Sequence, residues 1–205
     1  MVCRRLQSKG ILTPIVKTTV SADQKATEIK HSLVSILIFG FSALPVIYGV
    51  RSGFVTLLPD STIHILTGLI ILNLWNEVHF YCIHRLMHLP VLMRHVHYIH
   101  HASAVPTIYS VYSFHWFEAL LLSTVPITIV PFVAFCPLAI ALYPLTSLFF
   151  NLCGHSNYRL SKPIKWWPKL SSNHLQHHYS FAERYGFVTT LLDQLLSKTN
   201  NNTKK

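Results

Sequence analysis

Eight histidines fall in three short segments of this chain, at spacings that suit a shared metal site. The segments are His-Arg-Leu-Met-His at 84–88, His-Tyr-Ile-His-His at 97–101 and His-Leu-Gln-His-His at 174–178. In a helix, residues three or four positions apart lie on the same face. We therefore expect each segment to be helical and to aim its imidazoles at one point. Imidazole binds iron, copper, zinc and nickel, so the ligand type alone does not select the metal.

The number of candidate ligands predicts two metal ions. His155 follows the last apolar stretch and adds a ninth histidine to the eight in the three segments. A structural zinc site takes four ligands, commonly with cysteine among them, and the 4 scattered cysteines form no Cys-x-x-Cys pair. The predicted metal ligands are His84, His88, His97, His100, His101, His155, His174, His177 and His178.

Composition places this candidate site in a membrane protein. Of the 205 residues, 51% are hydrophobic and 12% are charged, about half the charged share of an average soluble protein. Mean hydropathy is +0.38. The net charge of +10 is compatible with nucleic acid, but in so apolar a chain we expect the partner to be an anionic membrane face and not a nucleic acid.

Apolar runs predict about four transmembrane or re-entrant helices. Residues 33–50, kinked at Pro45, and residues 63–82 each approach the length that crosses a hydrocarbon core of about 30 Å. The third stretch, 116–153, predicts either two short spans folded as a hairpin, with Pro131 and Pro137 near the turn, or a pair of re-entrant helices.

Basic residues predict the orientation of this bundle. With an even number of crossings, all 17 lysines and arginines except Arg51 fall on one face, together with the three histidine segments. The positive-inside rule makes that face cytoplasmic. We therefore predict an all-α fold: an integral, multi-pass membrane helical bundle with a cytoplasmic helical cap that carries a histidine-rich di-metal site. Residues 165–169, Lys-Trp-Trp-Pro-Lys, fit either an interface anchor or an ordinary packed loop.

The predicted location favours redox chemistry on lipids. A polar site at the cytoplasmic mouth of a helical bundle faces lipid-like substrates, and breaking an unactivated C–H bond requires a redox metal with O2, which suits iron and not zinc. One alternative is a histidine-rich membrane metal transporter or metal-binding protein, although transporter ligands lie near the bilayer midplane. Another is a zinc hydrolase, which needs an acidic base beside the metal, as in His-Glu-x-x-His; the sequence has no such segment.

The three segments resemble the histidine boxes of the fatty acid hydroxylase / sterol desaturase superfamily of membrane di-iron enzymes. The likeness covers roughly 70–197. It includes Glu-Val-His-Phe-Tyr-Cys-Ile-His-Arg at 77–85, which leads into the first box. It also includes Ser-Phe-His-Trp-Phe-Glu-Ala at 113–119 and Gly-His-Ser-Asn-Tyr at 154–158. It continues through Arg-Tyr-Gly at 184–186 and Leu-Leu-Asp-Gln-Leu-Leu at 191–196.

The chain departs from the family pattern at five positions, none of which is a box histidine. Asn151 stands four residues before His155, where some members have another ligand histidine. This favours nine ligands over ten. The other departures leave the substrate group open, and they are Trp116, Arg184, Leu192 and Gln194.

The resemblance implies two iron ions (Fe2+/Fe3+), O2 as co-substrate and electrons from NAD(P)H through a separate electron-transfer protein. Members hydroxylate or desaturate lipid chains or sterols in lipid biosynthesis. Whether the product is an alcohol or an alkene stays open, and so does the choice between sterol and fatty-acyl substrates, although residues 113–119 and 154–158 favour the sterol desaturase branch. The expected membrane is the bacterial inner membrane or the endoplasmic reticulum.

Acidic residues near the boxes are candidates to orient the ligands, since a metal-bound imidazole donates its second N–H to an acceptor. Glu77 lies two helical turns before His84, late in an apolar run where an unpaired charge is unfavourable; a paired carboxylate without a functional role is the alternative. The further candidates are His115, Glu118 and Asp193.

The predicted organisation has four parts. Residues 1–32 form an N-terminal cytoplasmic segment, and 33–63 form the first span and an external loop. Residues 64–197 form the catalytic domain that resembles the superfamily, and 198–205 form a polar tail that we expect to be disordered.

Overall fold

The computed structural model describes residues 2–162, 170–180 and 184–201, and most of them are helical. A π-helical turn, Met93–His97, joins α5 to α6, and a 3₁₀ turn, Ser110–Tyr112, precedes α7. The described helices are α1 Val2–Ser8, α2 Ala22–Phe41, α3 Ala43–Arg51, α4 Thr62–Met87, α5 Pro90–Leu92, α6 Tyr98–His101, α7 Trp116–Leu122, α8 Val125–Ile129, α9 Pro137–His155, α10 Leu170–Ser180 and α11 Leu191–Asn201.

Two of the sequence predictions concern the ends of these ranges. Helix α11 continues to Asn201, into the tail for which we expected disorder from 198. Residues 202–205 and the Lys-Trp-Trp-Pro-Lys segment at 165–169 lie outside the described residues.

Helices α2 and α3 together form the first candidate membrane span, Ala22–Arg51. The helix begins well before the predicted residue 33, because the Ser21 hydroxyl accepts a hydrogen bond from the Gln24 N–H and caps the polar first turns. The break between the two helices falls at Ser42. Pro45 explains it, since proline has no N–H to donate to the carbonyl four residues earlier.

Helix α4 is the longest of the described helices, and one of its faces is apolar and exposed. Ile63, Leu66, Ile70 and Leu74 follow one another at helical spacing and are 63%, 55%, 59% and 64% exposed. A contiguous apolar stripe of this kind is typical of a surface that contacts lipid. The opposite side carries asparagine, glutamate and histidine, and these polar residues explain why α4 is not among the two helices that are apolar enough to cross a membrane by composition.

The third apolar stretch forms one long helix and two short ones. Helix α9 is the second candidate span, at 19 residues. The chain turns before Pro137, as predicted, but the first arm is split into α7 and α8. From 116 to 129 it would reach only about 21 Å at 1.5 Å per residue, less than a hydrocarbon core of about 30 Å. This arm therefore fits the re-entrant alternative, and the predicted four-crossing topology stays a prediction.

Helices α4 and α9 pack together and carry the histidines to one end of the molecule. They lie close together at Gly68, where an added Cβ atom would lie 2.7 Å from the Ala139 Cβ. On the Gly68 side of this helix pair, away from the histidines, the hydrophobic core packs α3, α4, α8 and α9 around Leu72, Phe135 and Tyr143. His84, His88 and His155 lie at the other ends of the two helices.

The fold is mostly helical, as predicted, and a short two-stranded antiparallel sheet is added to the helices. Strand β1, Leu12–Pro14, pairs with β2, Tyr158–Leu160, which follows α9 directly. The Asn157 side chain accepts from the Val16 N–H and donates to the Val16 carbonyl, at 3.0 and 2.9 Å. The N-terminal segment is thus attached next to His155. Such a short pairing has no periodic signal in the sequence, since it depends on two segments far apart in the chain.

Candidate metal centre

The nine candidate ligands lie together in two clusters at the end of the bundle. Within each cluster, one ring nitrogen of every histidine lies within 4.8 Å of the others. The first cluster contains His84, His88, His97, His101 and His177, and the second contains His100, His155, His174 and His178.

The boxes do not each converge on one point, which corrects our expectation. Helical residues four positions apart do share a cluster, as His97 and His101 do in the first and His174 and His178 in the second. The remaining histidine of each of these boxes joins the other cluster. Neighbouring residues in a helix point about 100° apart, so His100 and His101 diverge toward different clusters, as do the two adjacent histidines of α10.

The nitrogen spacing within the clusters matches that of ligands around one ion. In the first cluster, Nε2 of His88 is 3.1 Å from Nε2 of His177, and the Nε2 atoms of His97 and His101 are also 3.1 Å apart. In the second, Nε2 of His174 lies 2.9 Å from that of His155 and 3.0 Å from that of His178.

Two nitrogens that bind one ion at about 2.1 Å are about 3.0 to 3.4 Å apart when the bond angle lies between 90° and the tetrahedral angle. These four contacts are therefore compatible with a shared ion in each cluster, and they do not select the metal or its coordination number.

Hydrogen bonds fix the tautomer of three candidate ligands. Nδ1 of His97 lies 2.7 Å from the Glu118 carboxylate, whose oxygen can only accept. Nδ1 of His84 donates to the Tyr185 carbonyl at 2.9 Å, and Nδ1 of His155 donates to the Asn151 carbonyl at 3.0 Å. Because Nδ1 carries the proton in each ring, Nε2 presents a lone pair to the cluster. Several buried lone pairs that face one another repel, and a cation among them removes that repulsion.

Burial favours the neutral form of three further candidate ligands. Loss of hydration lowers the pKa of His100 well below 6.5, and the neighbouring His178 lowers it further. Burial also lowers the pKa values of His174 and His178, with His155 as the next cause for both. Neutral imidazole is the metal-binding form. The residues therefore fit a pair of transition-metal ions in their donor atoms, their protonation and their spacing.

The two clusters adjoin each other. The ring centroids of His101, in the first cluster, and His178, in the second, are 4.6 Å apart, and those of His97 and His100 are 5.5 Å apart. Ions in the two clusters would be close neighbours. The clusters differ in ligand number, with five histidines in the first and four in the second.

Two acids hold a loop that orients His84. Glu77 accepts from the backbone N–H groups of Val188 and Thr189, at 2.7 and 3.1 Å. Asp193 accepts from the N–H groups of Tyr185 and Gly186, at 3.0 and 3.1 Å. The Tyr185 carbonyl, which accepts the hydrogen bond from Nδ1 of His84, belongs to this attached loop. The sequence predicted that Glu77 and Asp193 orient ligands. Both carboxylates bond the backbone of 185–189 and neither bonds a candidate ligand in these contacts, so an indirect orienting role stays a prediction.

Tyr185 and Gly186 are site residues that motif spacing alone did not identify. The Tyr185 ring packs against His84, His88 and His177, with centroid distances of 5.7, 4.9 and 5.4 Å. A Cβ atom on Gly186 would lie 1.9 Å from the Thr189 carbonyl oxygen, so only glycine fits this tight loop. The Arg-Tyr-Gly likeness was the available signal, but it gave no contact.

Two other candidates differ in their outcome. Glu118, one of the candidates to orient a ligand, bonds His97 directly. His115 instead caps α7, where its Nδ1 accepts from the Phe117 N–H at 3.2 Å. Its ring packs on Trp116, so the observed contacts of His115 are structural.

Arg184 stands at one of the departures from the family pattern. Its backbone has φ 65, and its side chain donates to the Asn173 side chain at 2.5 Å.

Comparison with known proteins identifies the family. A sequence model of the fatty acid hydroxylase family matches residues 69–198, which include all nine candidate ligands. The chain belongs to the fatty acid hydroxylase family. Its match runs from the first third of α4 through most of α11, so α2 and α3 lie outside it.

Curated relatives of this fatty acid hydroxylase family member are named for reactions on sterols. Lathosterol oxidase of Rattus norvegicus is 29% identical over 141 residues, which cover 67% of this chain and 46% of the relative. The Delta(7)-sterol 5(6)-desaturase of Leptosphaeria maculans is 29% identical over 125 residues, covering 59% of this chain and 33% of the relative. The chain thus spans less than half the length of these relatives. No solved structure matches it.

Proposed function

We propose that this chain is the catalytic part of an O2-dependent, non-haem di-iron membrane oxidoreductase that hydroxylates or desaturates a lipid. The observation that carries the proposal is the pair of adjoining histidine clusters inside the segment that matches the family. When bound, two iron ions would supply the redox chemistry with O2 that removes hydrogen from an unactivated C–H bond.

The protein's own residues would hold and orient the two ions. Five histidines of the first cluster and four of the second would be the ligands. Glu118 and the Tyr185 carbonyl keep the Nε2 atoms of His97 and His84 unprotonated and aimed inward. The Asn151 carbonyl does the same for His155 in the second cluster. For these three rings, no change of tautomer is then needed before a metal binds.

The surroundings suit a lipid substrate. The clusters lie at the ends of α4 and α9, and the surfaces of these two helices carry exposed leucine and isoleucine along their length. A hydrocarbon substrate could therefore approach from the bilayer without passing through water. The relatives' names favour a sterol over a fatty-acyl chain, and desaturation is the reaction named for the fungal relative. We propose a sterol-like substrate on this ground and leave the product as alcohol or alkene.

Electrons and location complete the proposal. The positive-inside rule, with the basic residues on the same face as the histidine segments, favours a cytoplasmic metal centre. Electrons would come from NAD(P)H through a separate electron-transfer protein. A metal transporter is less well supported, since the clusters lie at helix ends and not in the middle of the candidate spans.

The decisive experiment combines metal analysis with product analysis. Protein purified after expression in iron-supplemented cells should contain about two iron ions per chain and consume O2 when a reduced electron donor and a lipid are supplied. Comparison of host lipids with and without the gene should show a product that has gained one oxygen atom or lost two hydrogen atoms. Iron-loaded protein that neither consumes O2 nor alters any lipid would refute the proposed activity.

A further inference from the structure

Helix α4 carries two buried polar side chains that the metal centre does not use. Asn76 is 5% exposed and His79 is 8% exposed. They are three residues apart, so they lie on one face of the helix. Among the residues that the structure describes, neither Nδ2 of Asn76 nor Nδ1 of His79 has a hydrogen-bond partner. Buried polar atoms in proteins are nearly always paired, so this pair calls for an explanation.

The hydrogen bonds around His79 fix which of its nitrogens can accept. The Thr124 hydroxyl donates to the Leu121 carbonyl at 2.7 Å. Its proton is therefore committed, and at 2.9 Å it must accept from Nε2 of His79. With the proton on Nε2, Nδ1 of a neutral His79 carries a lone pair.

The chemistry of the two atoms selects a hydroxyl group. Nδ1 of His79 needs a donor, whereas Nδ2 of Asn76 needs an acceptor. The oxygen of an alcohol or of water has both capacities, because it can donate its proton to His79 and accept from Asn76. A carboxylate would place a lone pair against Nδ1, and an ammonium group could not accept from Asn76.

The position of the pair connects it to the metal centre. At 1.5 Å per residue, His79 lies about 7.5 Å and Asn76 about 12 Å along α4 from the candidate ligand His84. The segment opposite also links both places, since Glu118 on α7 bonds His97 and Thr124, just after α7, bonds His79. A group bound at Asn76 and His79 is therefore within the length of a fused-ring lipid from the metals.

We propose that Asn76 and His79 bind the hydroxyl group of the lipid substrate and so select a lipid alcohol whose hydroxyl lies within the length of a fused-ring system from the oxidised carbon. This inference rests on the proposed function and makes its substrate class narrower. The headgroup of a membrane phospholipid would lie at the bilayer surface, so a long acyl chain in such a lipid would not place a hydroxyl here. A bound water molecule is the other source of the same chemistry, and the experiment separates the two.

The test measures binding and does not depend on turnover. Purified, iron-loaded protein in lipid nanodiscs is titrated with radiolabelled cholestanol, and cholestanol methyl ether and cholestane are used as competitors. The ether keeps the acceptor oxygen but cannot donate to His79, and cholestane has neither group. We expect wild-type protein to prefer the alcohol over the ether by about tenfold or more, the effect of one lost buried hydrogen bond.

Two variants and a matched control locate the effect. Asn76→Leu and His79→Phe each remove one partner and should reduce the alcohol preference to below about threefold, with unchanged iron content. Asn73→Leu is the control, since the Asn73 amide is already bonded to the Leu69 carbonyl and to Thr146. Asn73→Leu should keep the full preference. Using two test positions keeps the experiment decisive when one variant fails to fold.

Three results would separate the possible failures. A wild-type protein that binds alcohol and ether equally overturns the lipid-hydroxyl site and leaves water as the occupant. A preference that persists in both test variants also overturns it. A protein that consumes O2 with a lipid but ignores the hydroxyl disproves only this inference, whereas iron-loaded protein without O2 consumption refutes the proposed function.

Discussion

Removal of the Glu118 carboxylate should weaken metal binding although Glu118 is not itself a ligand. Its Oε1 lies 2.7 Å from Nδ1 of His97, and both side chains are almost fully buried, at 3% and 1% exposed. In Glu118→Ala the buried Nδ1–H loses its acceptor, and the ring can rotate or shift its proton to Nε2. Loss of such an orienting partner typically weakens metal affinity 10- to 100-fold, about 1.4 to 2.7 kcal/mol.

The graded variant is Glu118→Gln. A glutamine oxygen still accepts from His97, so the tautomer is retained and only the charge is lost. We expect a reduction in affinity of less than about tenfold for this variant. The order wild type, Gln, Ala therefore tests orientation of His97 and not merely the presence of a negative charge.

The assay is iron retained per chain during titration with a chelator, followed in detergent at neutral pH. Glu28→Ala is a matched control, because Glu28 is also a buried glutamate, at 1% exposed, but bonds Gln24 and Thr107. This control should release iron as the wild type does. Equal chelator midpoints for Glu118→Ala and wild type, with the control also unchanged, would refute the orienting role of Glu118.

Three further predictions address the ligands, the loop and pH. His100→Ala and His177→Ala should each lower bound iron and abolish turnover, and a variant with full iron and activity would remove that residue from the ligand set. Glu77→Gln replaces an acceptor oxygen by an NH2 group, so amide hydrogen exchange at 188–189 should accelerate about tenfold. The corresponding acid-to-amide change at exposed Asp23, Asp23→Asn, should leave that exchange rate as in the wild type. Unchanged exchange at 188–189 in Glu77→Gln would disprove the attachment. Because burial lowers the pKa values of His100, His174 and His178 below 6.5, the unfolded state binds more protons as pH falls. The metal-free protein should therefore lose thermal stability between about pH 7.5 and about pH 5, and a melting temperature independent of pH would contradict this.

The candidate site could largely be located from the sequence, because helical spacing directly encodes which side chains share a face. The pairs four residues apart, such as His97 with His101, do share a cluster. The boxes at 97–101 and 174–178 each divide between the two clusters. This division did not follow from the motif alone, since it depends on which neighbouring helix faces each ring. The ligand roles themselves stay predictions until metal is measured.

The fold was less predictable where tertiary contacts decide it. The apolar runs indicated helices α3, α4 and α9, and Pro137 marks the start of α9 as expected. The extension of α2 back to Ala22 depends on the Ser21 cap, and the pairing of 12–14 with 158–160 depends on contacts across most of the chain. Neither has a strong local signal. The attachment of 185–189 by two acids likewise combines residues from α4 and α11.

The division of the boxes implies that the two clusters are energetically coupled. On α6, His101 serves the first cluster and the adjacent His100 serves the second. Helix α10 divides its ligands in the same way. An ion in one cluster therefore fixes the rotation of both helices, and this positions the ligands of the other cluster. We expect the two ions to bind with positive cooperativity, for which a coupling of about 1–3 kcal/mol is typical.

This coupling can be tested with ligands that lie outside α6 and α10. His88 contributes only to the first cluster and lies at the end of α4, while His155 contributes only to the second and ends α9. With coupling, His88→Ala should also weaken binding at the intact four-histidine cluster, by about 5- to 150-fold, and His155→Ala should weaken the five-histidine cluster by the same factor, because linkage is reciprocal. Iron titration followed spectroscopically measures both affinities. If each variant instead retained one iron at wild-type affinity, the clusters would be independent, and the shared helices would serve only to bring them close.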